Sequence, residues 1–414
     1  MERGTYAATD VSSSDDAIAA SLYTSEWLRD HRYSLGKLEG MAPNATDLFD
    51  EAIRSRGIAE RCAFDPGKWP GRLYAGVEAL CKGIRDEIVR KVRTDRVVPE
   101  IFVGVVDDAT FNACAFLHDG RYFIAVNYGA LILMHALAHR IFSQPEFFPW
   151  AGDSTKENAS RQFAPLSNNA LTYMRAFLKD RGSIRPIDRN RGRCAELLLA
   201  IATEFLIGHE VAHIVCGHLG WWLKNYGSGE SRLSEALAPA EKGALSLQAL
   251  EMDADSFAMN LILLKTLAFA SRREGYPNDD QRMVRTLEDG LQVALLCGMV
   301  MTGSFFFPCP TVDEWPRLDH PPTGVRLGAN VLAADRSLRV AGYNELRAAT
   351  SEKRDWIAQF VNLALRSIWK RIGHDDRDDE LRTSFGPVGQ RYLAKLLLEW
   401  GRIGPEVRAY SCIT

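Results

Sequence analysis

"IGHEVAHIVCGH", residues 207–218, sets three histidines and a glutamate inside an otherwise apolar run. On an α-helix His209 and His213 lie one turn apart on the same face, with Glu210 beside them. Imidazoles and a carboxylate on a buried helix face are costly unless they are paired or bind a metal. The order H-E-x-x-H meets that need: two imidazoles can share one zinc ion, and the adjacent carboxylate can serve as a base.

A catalytic zinc usually takes three protein ligands and a water, so a third ligand has to be found. His218 is nearest, but on a continuous helix it falls about 180° from His209 and points away. Its spacing also departs from H-E-x-x-H-x-x-G-x-x-H. The better candidate is Glu251, 38 residues beyond His213, in "SLQALEMDADSFAMNLILL", where Glu251 and Asp255 share one face of a second amphipathic helix. Glu251 supplies the third ligand in this reading, and Asp255 hydrogen-bonds a ligand imidazole to fix its tautomer. Asp253 projects elsewhere and reads as a solvated acid. Glu204, about 140° from His209, reads as a structural hydrogen-bonding group. "HALAH" gives His135 and His139 the same four-residue spacing without a glutamate, and these read as two partly exposed helix histidines.

Working outward, helical patterns cover about 194–224, 245–270, 281–301, 323–335 and 343–371, after two earlier ones in "ATDLFDEAIRSRGIAERC" and "LYAGVEALCKGIRDEIVRKV". Between the early and late helices the period changes. "PEIFVGVV", "FNACAFL" and "RYFIAVN" are strand-like, with "HDG" as a tight turn, and predict a small antiparallel sheet. "YGALILMHALAHRIF" then reads as a helix. Residues 143–169 break both periods with Pro, Gly, Ser and Asn and read as a long loop or lid, and the whole segment 143–193 looks like an insertion. Helices, a short sheet and more helices make an α+β class. The expected organisation is a loosely ordered leader over 1–45, a catalytic domain over 46–335, and a C-terminal helical extension over 336–414.

Composition excludes several classes. The 414 residues are 46% hydrophobic and 25% charged, which suits a globular core. A formal net charge of −3 gives no whole-molecule attraction for nucleic acid, and none is expected as a partner. Neither a Walker nor a dinucleotide fingerprint occurs, and "GSGES" at 227–231 reads as a loop. Eight scattered cysteines without a C-x-x-C pair suggest neither a zinc ribbon nor a disulfide framework, so a reducing cytoplasm is expected. The N-terminal stretch lacks a signal-peptide pattern. Residues 291–307, "LQVALLCGMVMTGSFFF", carry no formal charge but sit at the lower length limit for a membrane span, and a buried core helix is the preferred reading.

Four patches resemble, in order, the gluzincin peptidases of the CAAX prenyl endopeptidase and heat-shock membrane peptidase family. "FVGVVDDATFNACAFLHDGRYFIAVNYGALI" is similar to the family's strand and hairpin, with Asn112 and Ala113 at its Asn-Ala positions. "GHEVAHIVCGH" matches the zinc helix with its trailing histidine, His218. "EMDAD" matches E-x-x-A-D through Glu251, Ala254 and Asp255. "DHPPTGVRL" resembles the His-Pro segment with an arginine six residues on, giving His320 and Arg326. The patches span roughly 100–330. Soluble phage-exclusion peptidases of the Lit type are a second resemblance, one that suits a cytoplasmic chain.

The resemblance implies a mostly helical, zincin-like metallopeptidase holding one Zn2+ per chain and hydrolysing a protein or peptide. Glu210 would be the base, His320 an oxyanion donor, Arg326 an orienting group, and Asn112 a backbone contact for extended substrate. His218 would support the ligands from behind. A structural His-Pro turn at His320 and Arg326 stays open as the alternative. So does a non-hydrolytic zinc-containing binding or sensor protein, although an intact Glu210 favours the enzyme.

Overall fold

The computed structural model describes residues 43–62, 71–89, 96–160, 163, 185–227, 241–271, 283–304, 311–344, 346 and 382–413. Most of the expected leader, the centre of the 143–193 segment and most of the 343–371 helical pattern lie outside the described residues.

Chain order begins with α1 (Pro43–Ser55) and α2 (Gly71–Val89), then β1 (Ile101–Val106), β2 (Ala113–His118) and β3 (Arg121–Asn127). Helix α3 (Tyr128–Phe142) follows β3 directly. The longer helices described after it are α4 (Arg189–Val215), α5 (His218–Tyr226), α6 (Glu241–Ser271), α7 (Leu287–Ser304), α8 (Thr323–Val340) and α9 (Pro387–Arg408). The chain is mostly helical with one three-stranded sheet, which is an α+β composition.

The sheet is mixed, not antiparallel as the sequence predicts. Its order is β1-β3-β2, with β3 antiparallel to β2 and parallel to β1. The β2–β3 hairpin forms as expected on Asp119 and Gly120, both at positive φ, the conformation a two-residue hairpin turn demands. The segment after β1 instead carries the chain past the central position, which β3 then fills. Alternating apolar residues reveal that strands exist, whereas neighbour and direction depend on the connections.

Helix α4 is buried on almost every side, which fits its apolar stretch from Leu197 to Ile207, interrupted only by Thr203 and Glu204. It is the one described helix long and apolar enough to cross a membrane by length and composition, and 94% of the window that qualifies is buried in the protein. The other apolar stretch, from Leu291, forms most of α7, with Leu291, Val293, Leu295, Leu296 and Met301 in the core. Helix α6 packs along α4 and α7. At Gly208 a Cβ would sit 3.1 Å from Leu261 and 3.6 Å from Ala258, so the missing side chain lets α4 and α6 approach beside His209.

The described ends of the 143–193 segment are anchored in the core. Asp188 caps α4 by accepting from the Asn190 and Arg191 amides. Arg191 is fully buried and spends all five N–H donors on the carbonyls of Phe142, Gln144, Phe147, Phe148 and Ala151. This guanidinium closes the turn after α3 against the start of α4.

Candidate metal centre

Two neighbouring helices bring the site together. His209 and His213 project from α4, with their Nε2 atoms 3.1 Å apart. From α6, Glu251 places Oε2 at 3.0 Å from His209 Nε2 and Oε1 at 3.4 Å from His213 Nε2. Tetrahedral zinc with ligand bonds of about 2.0–2.1 Å has ligand–ligand edges of roughly 3.3–3.4 Å. The three side chains are buried and form a group able to hold a metal ion.

Each ligand histidine is oriented from behind. His209 Nδ1 lies 2.9 Å from Asp255 Oδ1, so Nδ1–H donates there and Nε2 keeps its lone pair for a metal. Asp255 is in turn held by Arg326, whose Nε and Nη2 donate to its two oxygens at 2.7 and 2.8 Å. Arg326, expected to orient substrate or the His320 loop, is buried and clamps Asp255 instead. Arg326 thus reaches His209 through Asp255.

His213 is served by a longer chain. Its Nδ1 lies 3.1 Å from His218 Nδ1, and His218 Nε2 lies 3.1 Å from Asp253 Oδ2. With His218 donating to Asp253 through Nε2, its Nδ1 accepts from His213 and leaves His213 Nε2 free to ligate. Two sequence expectations are corrected here. The helix ends at Val215, Gly217 adopts φ 89, and α5 begins at His218, so His218 turns back toward His213. Asp253 is not a freely solvated acid, because its half-buried side chain accepts from His218.

His320 also arrives at the centre. Its Nε2 lies 3.0 Å from Glu251 Oε2 and its Nδ1 3.3 Å from Asp319 Oδ1. The segment before it is fixed by Gln248 of α6, whose amide donates to the carbonyls of Trp315 and Leu318 at 2.8 and 2.7 Å. Tyr392 of α9 joins the same knot, 2.9 Å from Gln248 Oε1. Sequence reasoning missed Gln248, although its place one turn before Glu251 on the same helix face was available as a signal.

Electrostatics follow from burying four imidazoles with three carboxylates. Burial opposes a charged His209, yet its hydrogen bonds to Asp255 and Glu251 raise its pKa to about 9. Burial also opposes ionised Glu251, but His320 and His213 hold its carboxyl well below the usual range. For Asp255 the cost of burial is outweighed by Arg326, and its pKa falls to about 2. Glu210 is different: desolvation dominates and raises its pKa.

Asn112 stands at the start of edge strand β2, and α4 packs against that strand. Its Oδ1 is buried and has no hydrogen-bond partner among the described residues. Glu204 pairs with Lys265 away from the centre, with both side chains buried.

A second group differs most from its sequence reading. His135 and His139 are not partly exposed, being only 3% and 2% accessible, and Glu196 of α4 lies against them. In comparisons with known proteins, no family model matches the chain, and no curated protein or solved structure is significantly similar to it.

Proposed function

We propose that the chain is a zinc-dependent endopeptidase of the gluzincin type that cleaves a protein or peptide substrate in the cytoplasm. The observation that carries this reading is the convergence of His209, His213 and Glu251, with the buried Glu210 beside them on the same helix but outside that group. Zinc at that point would supply Lewis acidity, which makes water acidic near neutral pH and polarises a carbonyl.

The chain's own residues do the rest. Glu210, its pKa raised by desolvation, takes a proton from the attacking water as the oxygen bonds to the scissile carbonyl carbon. The C–N bond then breaks as Glu210 returns that proton to the departing amine. His320, held by Asp319 through Nδ1, would turn its Nε2–H from Glu251 to the developing oxyanion. Asn112 Oδ1 accepts from the backbone of an extended substrate lying beside β2.

Glu210→Gln keeps size and removes the base, so zinc content and melting temperature should stay unchanged while peptide hydrolysis falls at least 10²–10⁴-fold. In parallel, His320→Ala should lower kcat more than it raises KM, by roughly 10²-fold or more. Proteolysis undiminished in metal-loaded Glu210→Gln would sink the peptidase reading.

A further inference from the structure

The second histidine pair lies outside the proposed peptidase chemistry. We propose that His135, His139 and Glu196 form a second metal site, for a divalent transition-metal ion of the zinc class, that pins α3 to α4. The Nε2 atoms of His139 and His135 lie 2.9 and 3.8 Å from the same oxygen, Glu196 Oε1. The rings pack with centroids 4.3 Å apart, against 4.7 Å for His209 and His213. One ligand atom from each of the three residues falls within 4.8 Å of the others. Small rotations bring that spacing to the roughly 3.3–3.4 Å edges of a tetrahedral site.

A second observation points to a ligand. Glu196 Oε2 and His139 Nδ1 are buried and have no hydrogen-bond partner among the described residues. An unmet buried carboxylate oxygen is costly, and a cation bound by the carboxylate would offset that cost. A plain ion pair between Glu196 and His139 would need only one imidazole. The structure places two at four-residue spacing on α3, the geometry by which one helix face offers two nitrogens to one ion.

The two centres are separate. Glu196 and His209 are 13 residues apart on the continuous helix α4, about 20 Å along its axis. The second ion touches no group of the peptidase reading, so its role is structural. It would join α4 to α3, and through α3 to strand β3, which holds the edge strand β2.

The test is metal counting on the full chain, stripped with chelator, reloaded with Zn2+ or Co2+ and desalted. Wild type should hold two ions. His213→Ala should hold one, whose Co2+ absorption spectrum is that of the second site. Glu196→Gln and His139→Ala should each hold one, and Glu196→Gln with His213→Ala none. A His213→Ala protein that binds no Co2+ overturns the proposal without depending on the fold of a Glu196 variant. So does a Glu196→Gln protein that keeps both ions. Loss of the His209 centre alone would count against the peptidase reading and leave this site standing.

Discussion

At the residue scale, a metal bound at the candidate centre would compete with a proton for His209 Nε2. In the metal-free protein, burial disfavours the imidazolium, but Asp255 and Glu251 more than offset this and raise its pKa from 6.5 to about 9. His320 is shifted in the same direction, against its burial, by Glu251 and Asp319. A raised histidine pKa contributes stability that is fully present below the unfolded value and lost as pH rises through the folded one. Thermal melts of chelator-stripped protein should therefore show a falling melting temperature between pH 6.5 and about 9, while zinc affinity rises over the same window because the competing proton leaves. The fall should become shallower in His209→Ala. A stripped protein whose stability is flat or increasing over that window would contradict the network. Asp255 acts on the opposite limb: its contribution is present above 3.8 and is lost only as pH drops through about 2.

At the element scale, the short link between α4 and α5 decides whether His213 is oriented. Gly217 has φ 89, a conformation that costs an ordinary residue about 1–2 kcal/mol. A Cβ there would also lie 2.6–2.7 Å from backbone atoms of Val407, Tyr410 and Ser411. Gly217→Ala should thus displace either the C-terminal segment or His218, lowering stability and weakening zinc binding about 10–100-fold through loss of the ring behind His213. Isothermal titration would read this, and unchanged affinity would show that His218 does not orient the ligand. The same link marks where sequence reading succeeded and failed. His209, Glu210, His213, Glu251 and Asp255 were legible because one-turn spacing is a local property of a helix. His218 was misplaced by continuing that helix past Gly217, although a glycine after an apolar helical run is a stop signal. The burial of His135 and His139 was also signalled, by a helix apolar on every side, but Glu196 was not, since 57 residues and a segment without periodicity separate it from His139. The parallel pairing of β1 with β3 had no local signal at all.

At the scale of the whole molecule, the C-terminal helix belongs with the metal centre. The sequence reading sets residues 336–414 apart as an extension, yet α9 packs on α6, the helix that carries Glu251. Leu396 is buried with Met252, Trp315, Val325 and Ala329, and Ile403 and Val407 join the main core. Beyond α9, the Cys412 amide and the Ser411 hydroxyl donate to the carbonyl of Val215, the last residue of α4, at 2.9 and 3.0 Å. The end of the His209–His213 helix is thereby closed by residues almost two hundred positions later in sequence. If α9 is part of the same cooperative unit, emptying a core position on it must destabilise the centre as well. Ile403→Ala should cost about 2–5 kcal/mol, as large-to-small changes at buried aliphatic sites do. In that case zinc release, followed with a chromophoric chelator, and loss of helical circular dichroism should share one denaturant midpoint, shifted down together. An autonomous extension predicts two transitions, with Ile403→Ala moving only one of them and zinc release keeping its original midpoint.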